Sequence, residues 1–208
     1  MKAFVIGITG ATGVIYGIRL IEEFVQRDYR IYLTITLAGI EVIEKELSIC
    51  LKEEDPNQVK EKLLTYLSSR TDLSTKVLTD KLDYLPIDQI GAVIASGSFV
   101  TEGMAVVPCS MSTLAGIAQG RSMNLLERAA DVMIKEGRPL LIAPREMPLS
   151  SIHLKNMLRL SKLGVMVVPP MPGFYHQPQS IDDLIDFVIG KMLDRLGISH
   201  QLYTRWQG

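Results

Sequence analysis

Residues Ala3 to Thr9 form a nearly unbroken apolar run, the pattern of a strand buried on both faces. A glycine turn, Gly10-Ala11-Thr12-Gly13, follows. The period then changes: Val14, Ile15, Ile18, Ile21, Phe24 and Val25 recur at helical spacing up to Asp28. Arg30 to Thr36 reads as a second strand. Glu41 to Leu47 opens a short helix, and Pro56 opens another through Leu67 inside the polar stretch Lys52 to Ser74. Ile90 to Ser96 and Met104 to Pro108 read as further strands, the first ending in Ser-Gly-Ser. Leu114 to Ala118 is helical, and Asn124 to Glu136 is a strong helix pattern closed by Gly137. Leu140 to Ala143 and Val165 to Val168 are the last strands. They flank a helix over Ser151 to Leu163, with Gly164 just past its end. Ser180 and Asp183 cap a final helix striped by Ile181, Leu184, Val188, Met192 and Leu196.

Strands alternating with helices predict an α/β fold, a parallel sheet with helices on both faces in three layers. No repeat, low-complexity tract or boundary interrupts the 208 residues, which read as a single domain, 1–208. The Pro-rich stretch before Ser180 lies between a strand and a capped helix and reads as a site loop. Apolar residues make up 47% and mean hydropathy is +0.20. Such a balance fits either a well-filled core or apolar surface buried between copies of the chain. A net charge of −1 gives no electrostatic case for nucleic acid or an anionic membrane surface. Two cysteines, Cys50 and Cys109, form no disulfide framework and suit a reducing cytoplasm. No segment is long and apolar enough for a membrane span. Three histidines without a close pair or a Cys-His cluster give no metal site.

Four constellations carry chemistry. Gly7 to Gly13 (GITGATG) follows a strand and opens a helix, where backbone N–H groups attract phosphate. A nicotinamide dinucleotide site also wants an acidic residue after the second strand. This chain has Thr36 there, which suits a flavin or a phosphate better. Pro108 to Gly116 (PCSMSTLAG) supplies Ser110, Ser112 and Thr113, more hydroxyls than helix capping needs. Pro144-Arg145-Glu146 follows a buried strand and reads either as an ion pair or as an anion clamp beside a proton-transfer carboxylate. The fourth, PGFYHQPQS, presents Tyr175, whose hydroxyl can donate to a phosphate. Cys109 has no basic neighbour and reads as inert, and His153 as structural.

These motifs together resemble the flavin prenyltransferase family, UbiX of bacteria and its phenylacrylic-acid-decarboxylase-associated relatives. The resemblance lies in TGATG, CSMSTLAGIAQG, the segment from Asn124 to Gly164 and PGFYHQPQSIDDLIDFVIGKMLDRLGI, and covers the chain outside roughly Leu51 to Gln89. It implies a Rossmann-like or flavodoxin-like fold assembled as a trimer or dodecamer, with FMN at a subunit interface. It also implies metal-independent transfer of a dimethylallyl group from dimethylallyl phosphate to N5 and C6 of reduced FMN, making prenylated FMN for a UbiD-type decarboxylase.

Carried over by position, Gly10, Ala11, Thr12, Thr36, Ser110, Met111, Ser112, Thr113 and Arg145 would meet the flavin. Glu46, Glu146 and Lys135 would be catalytic, Lys135 by helping to hold phosphate. Tyr175 and Lys191 would bind the donor. Thr12 stands where a serine is usual, and Lys191 where many members have arginine, which keeps the charge but loses the planar fork. The rival readings are an FMN-dependent cysteine decarboxylase, a flavin carrier without catalysis, and a nicotinamide-dinucleotide protein.

Overall fold

The first apolar run becomes β1 (Ala3–Ile8), followed by β2 (Arg30–Ile35), β3 (Leu82–Tyr84), β4 (Gly103–Cys109), β5 (Leu140–Pro144) and β6 (Met166–Val167). In the computed structural model, which describes residues 1–52 and 54–206, these strands form one parallel sheet in the order β3-β2-β1-β4-β5-β6. The expected span 1–208 thus includes positions 53, 207 and 208, which lie outside the described residues. The helices are α1 (Val14–Gln26), α2 (Leu37–Leu47), α3 (Pro56–Arg70), α4 (Thr75–Lys81), α5 (Met111–Ala118), α6 (Leu125–Lys135), α7 (Ser151–Lys162) and α8 (Ile181–Arg195). The strand order is that of the doubly wound dinucleotide-binding sheet, and the architecture is the three-layer α/β fold that flavodoxin-like proteins share.

Alternation along each strand explains the unbroken apolar runs. Ile6, Ile8, Ala105, Val107 and Leu141 face one side, packed with α1, α3 and α8. Val5, Met104, Val106, Leu140 and Ile142 face the other, against α5 and α6. Helices cover both faces, so the central strands are dominated by apolar positions, with Thr34 of β2 a buried polar exception. The first helix lies very close to the sheet: a Cβ on Gly17 would fall 2.3 Å from the Val107 carbonyl oxygen. Gly13 caps the same helix at φ 93°, in the left-handed region glycine tolerates best.

Two expectations change here. Ile90 to Ser96 is not a strand. Val93–Ala95 forms a single 3₁₀ turn, with Ala95 N–H bonded to Ala92 O at 2.9 Å and Ser96 N–H to Val93 O at 3.2 Å. A short apolar run has no period that separates strand from helical turn, and the place beside β2 is already filled by Leu82–Tyr84, paired from Ile31↔Leu82. On α8 the buried positions are Ile185, Phe187, Val188, Ile189, Gly190, Met192 and Leu193, while Ile181 is exposed. The Ser180–Asp183 capping box is present as expected.

Candidate functional site

In a parallel sheet of this order the loops after β1 and β4 lead in opposite directions, and the crevice between them is the general ligand position. Thr9 ties the two loops together. Its buried hydroxyl donates to Pro108 O at 2.9 Å and accepts from Ser110 N–H at 2.7 Å. Sequence reading passed over Thr9, although a polar residue closing an apolar strand is a signal of such a tie.

The glycine turn differs from a free phosphate seat. Its helix N-terminus is already occupied by Glu46, near the end of α2. The Glu46 carboxylate accepts from Gly13 N–H at 3.0 and 3.1 Å, from Val14 N–H at 3.1 Å and from the Thr12 hydroxyl. Gly13 has no side chain with which to cap α1, so a carboxylate from another helix does so. Thr36 caps α2 in turn, accepting from Gly39 N–H at 3.1 Å.

The open anion seat is one strand further along. Ser110 caps α5, accepting from Thr113 N–H at 3.3 Å and donating to the Thr113 hydroxyl at 3.1 Å. The first-turn N–H groups of Met111 and Ser112 are left without an acceptor among the described residues. Ser112 is exposed and its hydroxyl is uncommitted. On the adjoining strand, Arg145 N–H bonds to Cys109 O at 3.1 Å, which brings residue 145 beside the start of α5. No ion pair to Arg145 occurs among the described residues, so the Arg145–Glu146 pair considered from sequence is absent there. Both residues are exposed, and among the described residues Glu146 accepts only from Met147 N–H, at 3.0 Å. Free helix N–H groups, hydroxyls and an unpaired guanidinium suit a phosphate beside a flat heterocycle, so this donor set fits the flavin mononucleotide expected from the motifs.

Tyr175 and Lys191 come together elsewhere, on the outer side of α8. The Tyr175 ring meets Phe187 edge-on at 5.5 Å and Trp206 at 5.9 Å. The Lys191 ammonium lies 5.5 Å from the Phe187 ring centre and 5.1 Å from that of Tyr203. Phe187, Tyr203 and Trp206 were not anticipated; the aromatic and basic run Tyr203-Thr204-Arg205-Trp206 was the available signal.

Lys135 stands apart from both groups. It is the last residue of α6, which runs back from the crevice edge, so it lies at the opposite, amino edge of the sheet and pairs with Glu136 at 3.3 Å. Within one chain the structure therefore does not bring Lys135 to the flavin position. The direction in which a helix between two parallel strands must run fixes this placement. Among the described residues no hydrogen bond, ion pair or ring contact joins the three groups. Several large apolar side chains around them are exposed, notably Met147 at 84%, Phe174, and Ile152, Leu154 and Leu158 of α7.

Burial pushes the Cys109 thiol up to about 12, consistent with an inert core residue. His153 closes a capping box at the start of α7, its Nδ1 accepting from Ser150 N–H at 3.2 Å. No helix among the described residues is long and apolar enough to cross a membrane. No cluster of His, Cys, Asp or Glu among them is able to hold a metal ion.

Residues 1–193 match the family model described as Flavoprotein. The flavin prenyltransferase UbiX of Halalkalibacterium halodurans is 50% identical over 203 residues, covering 98% of this chain and 92% of that protein. A dodecameric FMN-dependent UbiX-like decarboxylase from Escherichia coli O157:H7 superposes with a TM-score of 0.81 at 39% identity, over 100% of both chains. A UbiX solved with FMN and dimethylallyl pyrophosphate gives 0.82 at 35% identity, over 100% of this chain and 98% of that one. A cysteine decarboxylase of thioviridamide biosynthesis gives 0.57 at 12% identity, over 95% and 98%, a likeness of fold alone.

Proposed function

The chain belongs to the Flavoprotein family and, within it, to the flavin prenyltransferases, and from that membership we propose that it transfers the dimethylallyl group of dimethylallyl phosphate to N5 and C6 of reduced FMN. The carrying observation is the crevice between β1 and β4. Segments that resemble the family motifs meet there, braced by Thr9 and Glu46, beside an unfilled anion seat.

Gly10, Ala11, Thr12, Thr36, Ser110, Met111, Ser112, Thr113 and Arg145 hold FMN. When bound and reduced, the flavin supplies the nucleophilic ring atoms that accept the dimethylallyl group. Tyr175 and Lys191 hold the donor's phosphate. As the allylic C–O bond breaks, the phosphate leaves with the electron pair, and Lys135, Lys191 and Arg145 neutralise its growing charge. Exclusion of water from the allylic cation would fall to the apolar side chains near the crevice, such as Met147 and Phe174, once a second copy covers them. Closing the new ring at C6 requires one proton delivered to the alkene and one removed from the flavin ring. Glu146, with only one local hydrogen bond, is the carboxylate free to move a proton. Glu46, committed to three donor groups, holds Thr12 and the turn in place.

The three separated groups are reconciled by assembly. Lys135 reaches the crevice of a second copy, and the exposed apolar side chains of α7, Met147 and Phe174 pack between copies. The whole chain, 1–208, acts as one flavoprotein unit of a trimer or dodecamer. Its product is the cofactor of a UbiD-type decarboxylase. Two free thiols, Cys50 and Cys109, suit a cytoplasmic setting.

The test is anaerobic incubation with reduced FMN and dimethylallyl phosphate, without metal, followed by the mass of the extracted flavin. A flavin heavier by one dimethylallyl unit is expected; unmodified FMN would reject prenyl transfer from this donor. Glu146→Gln should leave FMN bound and slow completion of the adduct, while unchanged turnover would remove Glu146 from the chemistry.

A further inference from the structure

Past α8 the chain folds back along that helix without regular structure, and one carboxylate holds it there. Asp194 Oδ1 accepts from Arg205 Nη2 at 2.6 Å and Oδ2 from Arg205 Nη1 at 3.1 Å, a two-point contact. Oδ2 also accepts from the Tyr203 hydroxyl at 2.8 Å. His200 Nε2 lies 3.1 Å from Oδ1. Its Nδ1 accepts from Leu202 N–H at 3.2 Å, so in the neutral ring Nε2 carries the proton and donates to Asp194.

The seat for this segment is built into α8. A Cβ on Gly190 would fall 2.5 Å from a Tyr203 ring carbon and 2.6 Å from a His200 ring carbon. A glycine in mid-helix costs about 1 kcal/mol against alanine, and here it opens the slot the two rings occupy. Lys191, the next residue, carries its ammonium over the seated Tyr203 ring. A lysine ammonium is a point charge on a flexible four-carbon stem, so unlike a guanidinium fork it needs an outside group to orient it.

We propose that Asp194 is a positioning residue for the donor site: by seating Tyr203 in the Gly190 slot it holds the Lys191 ammonium beside Tyr175, where the phosphate of dimethylallyl phosphate binds. The inference rests on the prenyl-transfer reading given above. The electrostatics agree with the geometry. Tyr203 first, then Tyr175 and Asp194, hold Lys191 above the usual lysine range, so the ammonium stays charged for an anion. Trp206, at the end of the same segment, packs edge-on against Tyr175 and so ties the second phosphate ligand to the same latch.

The test measures steady-state prenylation by the full chain, with FMN affinity and thermal midpoint recorded for each variant. Asp194→Asn should raise KM for dimethylallyl phosphate about tenfold, the size of one misplaced charge-assisted contact, with kcat within about twofold. Tyr203→Phe, which keeps the ring over Lys191 and loses the bond to Asp194, should shift KM in the same direction and serves if Asp194→Asn fails to fold. Asp194→Glu should recover most of the loss. In a Lys191→Met background, Asp194→Asn should raise KM no further, because its effect passes through that ammonium. A purely structural anchor would instead lower the midpoint and leave KM alone. Unchanged KM in both variants, or a full further rise in the Lys191→Met background, would overturn the inference while wild type stays active. An inactive wild type would overturn the prenyl-transfer reading itself, and the donor-site role with it.

Discussion

Replacing Glu46 with alanine separates a brace from a chemical group. Its carboxylate is the acceptor for Gly13 and Val14 N–H and for the Thr12 hydroxyl, at the start of a helix whose own cap residue is glycine. Losing an N-terminal cap costs about 0.5–2 kcal/mol, and the interaction of a carboxylate with the helix dipole is part of that sum. Glu46 is exposed, so water replaces it in the variant and the loss sits near the middle of the range, about 1–1.5 kcal/mol. For a domain of this size each kcal/mol moves the thermal midpoint by about 2–4 °C, which gives a fall of about 2–6 °C. Glu46→Gln keeps one carbonyl acceptor and should fall about half as far. The assay is thermal unfolding followed by circular dichroism at one protein concentration, because the midpoint of an oligomer depends on concentration. A flavin titration runs beside it, and the unbraced Gly10–Gly13 turn should bind FMN several-fold more weakly. A Glu46→Ala protein with a wild-type midpoint and wild-type flavin affinity, yet no prenyl transfer, would refute the brace and make Glu46 a chemical group.

Gly17→Ala should destabilise by about 1–3 kcal/mol in urea denaturation, the usual cost of overpacking, because the new Cβ meets a backbone carbonyl that has no room to retreat. Iodoacetamide at pH 8 should alkylate exposed Cys50 and spare Cys109, whose thiol burial pushes up to about 12; labelled Cys109 in a peptide map of the native protein would contradict that burial. Arg205 first, then Tyr203 and His200, lower the Asp194 carboxyl to about 2, against an ordinary value of 3.8. A depressed carboxylate stabilises above its unfolded pKa and loses that contribution as pH falls through the folded one. Fluorescence anisotropy of Trp206, the single tryptophan, should therefore hold steady from pH 8 to 5 and drop only below about pH 4. A drop centred near neutrality would contradict the assignment of the latch to the Asp194 carboxylate.

The strands buried on both faces were legible because both faces are dominated by apolar positions, and the caps at Ser110 and Ser180 because a hydroxyl there has one local task. The region from Leu51 to Gln89 was legible in the helix opened by Pro56 but not elsewhere. Its third strand has only the residues Leu82–Tyr84, too few for any period, and the helix Thr75–Lys81 before it buries Leu78 alone. Glu46 was placed by motif, but its contact with the Gly13 turn crosses 33 positions and leaves no local trace. The apolar positions of α7 are a different case. Ile152, Leu154 and Leu158 are exposed, and among the described residues of that helix only Leu160 is buried within one chain.

That outward face and the position of Lys135 have one explanation. A helix joining two parallel strands must run from the carboxyl edge of the sheet back to its amino edge. Lys135 closes such a helix, and the strand after it begins at Leu140, so no folding of a single chain carries it to the crevice beside Gly10. The order of elements alone contains that constraint, before any coordinate is known. The phosphate role proposed for Lys135, a residue fixed at the amino edge, calls for a second copy of the chain, and an apolar helix face left open to water is a surface that such a copy would cover. Dilution below the assembly's dissociation constant should accordingly abolish prenyl transfer. Mixing Lys135→Ala with Arg145→Ala chains, each inactive alone, should restore part of it, since some mixed crevices then hold an intact Arg145 and an intact Lys135. Absence of any restoration in a mixture proven to exchange subunits would place Lys135 outside the site.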